Sequence, residues 1–253
     1  MSSDPPNPTN HISIGIGEVI SYPTMLSEEN TGSLAKGMHY RLNPNHSVFL
    51  MSVRSGAPYD DEIRDEGRIV IYEGHNVRTN DENPIPQIVD QTLERPNGNL
   101  NQNGLFYKAA MGYKEGQRPS EKVRIYQKIK KGIWVYAGIF KLVDSWPEQS
   151  KGRIVYKFEL HQLTDEELEN LEILTPGKFR RKDGDLAHTR FIPTSVRLEV
   201  WQRDKGKCVK CKSEDNLHFD HLLPFSKGGT SLLAENIQLL CARHNLQKSD
   251  KIE

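Results

Sequence analysis

All three cysteines of this 253-residue chain fall in its last fifth, in a pattern that suits a metal ion. Cys208-Val-Lys-Cys211 and Cys241-Ala-Arg-His244 are two knuckles of equal spacing. A Cys-x-x-Cys turn lets two thiolates reach one ion without strain, and two such pairs fill the tetrahedron that Zn²⁺ prefers. With every position filled, the expected zinc is structural, and it supplies folding free energy to a small module. The competing reading is a reduced Cys-x-x-Cys beside an unrelated Cys-x-x-His. Three clustered cysteines do not make a disulfide framework. The opening MSSDPPNPTN lacks the basic start and apolar stretch of a secretory signal, so a reducing compartment is expected.

The length suggests about two domains. No apolar run approaches the roughly 20 residues needed to span a bilayer. Lys plus Arg and Asp plus Glu are equal at 34 each, so net charge advertises no polyanionic partner. The charge is uneven, however. Over residues 178–212 the basic side chains, among them Arg180, Arg181, Lys182, Arg190, Arg197, Arg203, Lys205, Lys207 and Lys210, outnumber the acidic ones. Such a stripe is a solvated surface or a phosphate track.

Residues 12–163 read as strands. The runs 46–53, 67–72, 123–129, 133–143 and 153–160 are short, rich in β-branched and aromatic residues, and punctuated by Gly, Pro and Asn. Recurrent strands of this kind favour a barrel or sandwich. Residues 80–104 form a long Asn-, Pro- and Gly-rich stretch, expected as a functional or disordered loop. Thr164-Asp-Glu-Glu167 is a capping box opening a helix over about 165–173. The polar stretch 175–189 reads as an interdomain linker, and a second helix is expected over about 194–203. The resulting division is a disordered tail (1–11), a β domain (12–163), a helix and basic linker (164–190) and a C-terminal module (191–253).

Between the knuckles lies Asp220-His221-Leu-Leu-Pro-Phe-Ser-Lys227-Gly228-Gly229, then Asn236 before Cys241, and after the second knuckle Asn245 and Lys248. A zinc ribbon that only binds needs none of these. The set resembles the HNH, or ββα-metal, nuclease family over residues 197–251. That resemblance implies metal-assisted phosphodiester hydrolysis, which needs an activated water, a cation beside the phosphate and a stabilised leaving oxygen. It implies His221 as general base, its imidazole being suited to neutral pH. Asp220 and Asn245 are implied as oxygen ligands of Mg²⁺ or Mn²⁺, and Asn236 as a brace that orients His221. Asn245 stands where the family name has its last His. Lys227 and Lys248 are expected phosphate contacts. His244 goes to zinc because its spacing from Cys241 mirrors the first knuckle. His218 shares a strand face with Asp220 and is expected to be structural or exposed.

Upstream, Lys36-Gly-Met-His39, Gly56-Ala-Pro-Tyr59-Asp60-Asp61-Glu62, Gly67-Arg-Ile-Val-Ile-Tyr72-Glu-Gly74-His75, Gly98 to Gly104, and Trp134-Val-Tyr136-Ala137-Gly138 occur in order. Together they resemble the SRA (YDG) domain, with Ala137 where the name-giving triplet has Asp. SRA domains flip a modified cytosine out of the duplex into a pocket, and stacking and edge hydrogen bonds must recover the lost base stacking. Tyr59 and Tyr72 are the stacking candidates. Asp61 is the candidate for the cytosine N4 amino donor, with Asp60 and Glu62 in reserve. The 98–104 loop is a candidate to fill the vacated position. Without the resemblance, Tyr59-Asp60-Asp61 reads as a turn and Tyr72 as a core residue.

The expected architecture is α+β: a mostly-β, SRA-like barrel followed by a small zinc-stapled ββα-metal domain. The expected function is a modification-dependent restriction endonuclease. It would act on double-stranded DNA carrying 5-methylcytosine or a related base, in a prokaryotic cytoplasm. Because two strands need two active sites, a homodimer is expected. The alternatives are a non-catalytic reader of modified DNA and a sequence-specific HNH nicking or homing-type enzyme.

Overall fold

The computed structural model describes residues 14–43, 46–53, 56–80, 84–164, 166–168, 170, 192, 194–224, 227–248 and 252. The 175–189 linker, and the part of the basic stripe from 178 to 190, lie outside them.

Eight strands form one sheet: β1 (Val19–Ser21), β2 (Met38–Asn43), β3 (His46–Met51), β4 (Glu62–Arg64), β5 (Ile69–Glu73), β6 (Lys122–Lys130), β7 (Ile133–Ser150) and β8 (Arg153–Gln162). The hydrogen-bonded path is β2-β3-β6-β7-β8-β5-β4, with β1 paired to β7. Only the β3–β6 pairing is parallel. β7 outruns its expected end by seven residues and passes through Pro147. It can do so because β6 pairs with it only as far as Lys141, so that beyond this point β7 has β8 alone as neighbour and a missing N–H is tolerated at an edge.

Two helices that the strand pattern did not suggest complete this domain. α1 (Tyr22–Glu28) starts at Ser21, whose hydroxyl accepts from Thr24 N. α2 (Gln102–Lys114) starts at Asn101, whose side chain accepts from Gly104 N at 3.0 Å. The end of the expected 80–104 loop is therefore a helix N-terminus. α2 buries Phe106, Ala109 and Ala110 against the sheet. There Phe106 meets Phe49 at 4.6 Å between ring centroids and Phe158 at 6.1 Å. Thr164 and Glu167 exchange the two bonds of the capping box, at 2.9 and 3.2 Å.

The C-terminal module contains α3 (Thr194–Arg203), the antiparallel pair β9 (Leu217–His221) and β10 (Ile237–Cys241), and α4 (Ala242–Lys248). Its apolar cluster, built on Val196, Val200, Leu217, Phe219, Leu239 and Leu240, also takes in Ile129 of β6 and Val135 of β7. Glu18 forms an isolated backbone bridge with His218. Arg197 donates to Gln127 Oε1 at 2.8 Å and is 3% exposed, so this member of the basic stripe is buried and offers nothing to phosphate. The two parts of the chain thus share one apolar seam.

Candidate functional site

The two knuckles converge. The Sγ atoms of Cys208, Cys211 and Cys241 and a ring nitrogen of His244 all lie within 4.8 Å of one another. Cys208 Sγ is 3.4 Å from His244 Nδ1, Cys241 Sγ is 3.3 Å from it, and Cys211 Sγ is 3.7 Å from Cys241 Sγ. Ligands about 2.3 Å (sulfur) and 2.0 Å (nitrogen) from a tetrahedral ion would be separated by about 3.5 Å (sulfur to nitrogen) and about 3.8 Å (sulfur to sulfur), within about 0.2 Å of these distances, so the set fits zinc. Burial alone would push the Cys208 thiol up. The backbone N–H groups of Cys211, Cys241 and Lys210 outweigh it and bring that thiol down to about 6, which favours the thiolate a metal requires.

β9 delivers Asp220 and His221 side by side, opposite Gln238 and Ile237 of β10. Asn236 closes the loop that follows. Its Oδ1 accepts from Leu223 N at 2.8 Å, and its Nδ2 donates to the carbonyls of Leu223 and Thr230 at 3.1 and 2.9 Å. The second glycine of the Gly-Gly pair is needed here, since a Cβ on Gly229 would lie 1.8 Å from the Leu223 carbonyl oxygen. His221 Nε2 is 2.9 Å from the hydroxyl of buried Ser231, a partner that sequence reasoning missed. Lys227 is exposed on the loop.

Lys248, the other expected phosphate contact, is 1% exposed and turned into the module. Its ammonium donates to the His221 carbonyl at 2.6 Å and pairs with Asp220 Oδ2 at 3.0 Å. Burial raises the Asp220 pKa, and Lys248 opposes that rise. Asn245 lies one helical turn before Lys248 on α4 and is half-buried.

In the β domain the expected base-pocket residues divide. Tyr59 is half-buried, its ring 6.3 Å from that of His75. Asp61 turns its carboxylate inward, accepting from Ser52 N and Glu73 N at 3.0 Å each. Burial, helped by the nearby Glu73 charge, pushes it up to about 7 against those two bonds and Lys157. Asp60, held in reserve, is exposed and paired with Lys151 at 2.8 Å. Glu62, the other reserve, is exposed and pairs with Arg64. Tyr72, the second stacking candidate, lies deeper than Tyr59. It is 2% exposed, one ring face stacks on Phe49 at 4.2 Å, and its hydroxyl bonds the carbonyls of Gly37 and Leu50. Ala137, the departure from the triplet, is a core residue.

Behind this region lies a buried ionic cluster that was not anticipated. Glu73 pairs with Arg153 at 3.1 Å and Lys157 at 3.2 Å, and all three are nearly inaccessible. The cluster holds the Tyr59–Asp61 turn, because Asp60 N donates to Glu73 Oε2 at 3.0 Å and Lys157 donates to Asp60 O at 2.8 Å. The available signal was charge at alternate positions of β8, where Arg153 and Lys157 share the inward face with Val155.

Comparison with known proteins now decides the family. The SAD/SRA domain model matches residues 28–166, more than half of the chain. The chain belongs to the SAD/SRA domain family. The HNH endonuclease model matches residues 208–251, so the SAD/SRA domain is fused to an HNH domain. A tobacco (Nicotiana tabacum) histone-lysine N-methyltransferase, H3 lysine-9 specific SUVH1, is 31% identical over 130 residues, covering 49% of this chain and 16% of that protein. The chain therefore spans a minor part of that relative's length. Among solved structures, the SUVH5 SRA–methylated CHH DNA complex has 19% identity and a TM-score of 0.42, covering 61% of this chain and 92% of that one. KRYPTONITE in complex with mCHH DNA, H3(1-15) peptide and SAH has 18% identity and a TM-score of 0.42, covering 72% of this chain and 41% of that one.

Proposed function

We propose that this chain is a modification-dependent DNA endonuclease. The SAD/SRA domain takes 5-methylcytosine or a related modified cytosine out of the duplex, and the HNH domain hydrolyses a nearby phosphodiester bond. One observation carries the reading: a single chain joins a matched SAD/SRA domain to an HNH match whose first strand ends in Asp220 and His221, beside a Cys₃His cluster.

In this reading Tyr59 stacks on the extruded base and Asp61 accepts from the cytosine amino group. Zinc on Cys208, Cys211, Cys241 and His244 holds the HNH module in shape. His221 takes the proton from the attacking water. Ser231 and the Asn236-braced loop fix the imidazole, Lys227 meets phosphate, and Lys248 steadies Asp220. A divalent ion on Asp220 and Asn245 would supply charge stabilisation at the phosphate and the leaving oxygen. Cutting both strands calls for two copies of the chain on the DNA, and a prokaryotic cytoplasm is the setting that suits such an enzyme.

The test is digestion of otherwise identical duplexes carrying plain or modified cytosine, with Mg²⁺ or Mn²⁺, by the native chain and by His221→Ala. Cutting confined to modified DNA and lost in the variant is expected. Cutting that survives in His221→Ala would remove the assignment of the base. Binding of modified DNA without cutting would favour a reader that does not cleave.

A further inference from the structure

Two successive leucines project from the HNH domain on a turn that the fold holds rigid. Leu232 is 56% exposed and Leu233 57%, while Ser231 before them and Ala234 after them are buried. On one side Thr230 Oγ1 accepts from Leu232 N at 3.1 Å, and Asn236 Nδ2 donates to the Thr230 carbonyl at 2.9 Å. On the other, Asn236 N donates to the Leu233 carbonyl at 3.1 Å, and Arg203 donates to the Ala234 carbonyl at 2.8 Å. A single exposed leucine is ordinary and needs no explanation. A rigid pair is an apolar projection held out to solvent.

Its neighbour is the cutting chemistry. Ser231, whose hydroxyl is 2.9 Å from His221 Nε2, immediately precedes Leu232, and successive Cα atoms are about 3.8 Å apart. Base pairs follow one another at about 3.4 Å along a duplex. A phosphate that reaches a water held by His221 therefore lies within a few base steps of both leucines. From Leu222 to Ala234 the loop carries no acidic residue, and Lys227 is its one charge, so a polyanion meets no repulsion along it. A second copy of the chain fits less well. Two leucine side chains fall far short of the roughly 800 Å² per partner that a stable protein interface buries.

On DNA the apolar surface within reach of an aliphatic side chain is the face of the bases. Leucine and isoleucine reach it by pressing between base steps from a groove, at the cost of local stacking. That cost depends on sequence. Pyrimidine–purine steps (TA, CA/TG) unstack and kink easily, whereas A-tracts are stiff.

We propose that Leu232 and Leu233 are a wedge that the HNH domain presses into the base stack beside the bond it cuts. The deformability of that step then decides which of the bonds within reach is broken. The proposal rests on the reading of the HNH domain as the nuclease, with His221 as its base. The two leucines touch no reacting atom, and their part is to set specificity.

The experiment is digestion of duplexes with one modified cytosine at a fixed place and either TA, CA or AA steps across the cut region, followed by sequencing of the ends. The native chain should cut at TA and CA steps roughly 3- to 10-fold more often than at AA steps. Leu232→Ser combined with Leu233→Ser should bring that ratio close to one with Tm unchanged, because both side chains are already largely in water. Leu232→Met combined with Leu233→Met, which keeps the apolar reach, should preserve the ratio. A native chain indifferent to the step would overturn the proposal, as would a preference that survives the serine pair. A second measurement needs no cutting: 2-aminopurine is placed at successive positions of the duplex, bound without divalent ions, and its fluorescence rises where the stack opens. A rise at one step away from the modified cytosine, lost in the serine pair, is expected. Its absence in the native chain would overturn the wedge. The same rise, with no duplex cut by the native chain when Mg²⁺ or Mn²⁺ is present, would overturn the nuclease reading and leave the wedge standing.

Discussion

The ammonium of Lys248 lies 3.0 Å from Asp220 Oδ2 and is almost wholly enclosed, so the last turn of α4 is pinned to the end of β9 by a charge pair. Removing one partner strands the other in a poorly solvated place. Lys248→Met should therefore destabilise the chain by about 2 kcal/mol, below the full value for a buried pair because Asp220 keeps some contact with water. The double variant with Asp220→Asn should lose less than the sum of the single variants. Chemical denaturation of the four proteins checks this, and strict additivity would show that the pair is not coupled.

The Cys₃His cluster predicts one zinc per chain by elemental analysis. A strong chelator should release it and lower the Tm, and Cys208→Ser should abolish retention of the ion. Because the HNH cluster shares apolar contacts with Ile129 and Val135, the melting of both parts of the chain should move together. Stripping zinc without any change in Tm would contradict this.

Asp61 predicts a pH dependence of stability. Its folded-state pKa, about 7, lies above the unfolded carboxylate value of about 4. The folded chain therefore holds a proton that the unfolded chain has released. The contribution is fully present below about pH 4 and is lost as the pH rises through 7. Asp61→Asn should flatten that part of the Tm–pH profile, and an unchanged slope would remove Asp61 as its source.

Glu73→Ala should destabilise by about 3–5 kcal/mol, because Arg153 and Lys157 would be left buried without a counter-charge. The Tyr59–Asp61 turn loses its anchor at the same time. Binding of modified DNA, measured at a temperature where the variant is still folded, should therefore weaken as well. Full affinity in a folded Glu73→Ala protein would show that the turn holds its shape without the cluster.

Much of this was legible in the sequence where the signal is local. The knuckles follow from ligand spacing, the capping box from two residues three apart, and the Asp220–His221 strand from its flanking turns. β3, β5, β6 and β8 fall within a few residues of their β-branched runs. The missed features depend on distance. Glu73 meets Arg153 and Lys157 across about eighty positions, and α2 is hidden by two glycines, Gly104 and Gly112, in a weakly amphipathic stretch. Residue type alone could not say that Tyr72 and Lys248 face inward. A tyrosine suits a core as well as a base, and a lysine near a nuclease motif invites an outward reading until its strand neighbours are known.

The seam between the two parts of the chain has one more consequence. Ile129 and Val135 pack into the HNH cluster, Arg197 reaches Gln127, and Glu18 bridges to His218. The HNH domain is therefore bolted to the strands it follows, whatever the 164–190 segment does. In an enzyme that reads with one part and cuts with the other, such a joint works as a caliper. The interval between the recognised base and the broken bond is set by the thickness of protein between Tyr59 and His221, and scission positions should fall in a narrow band rather than scatter with the reach of a tether.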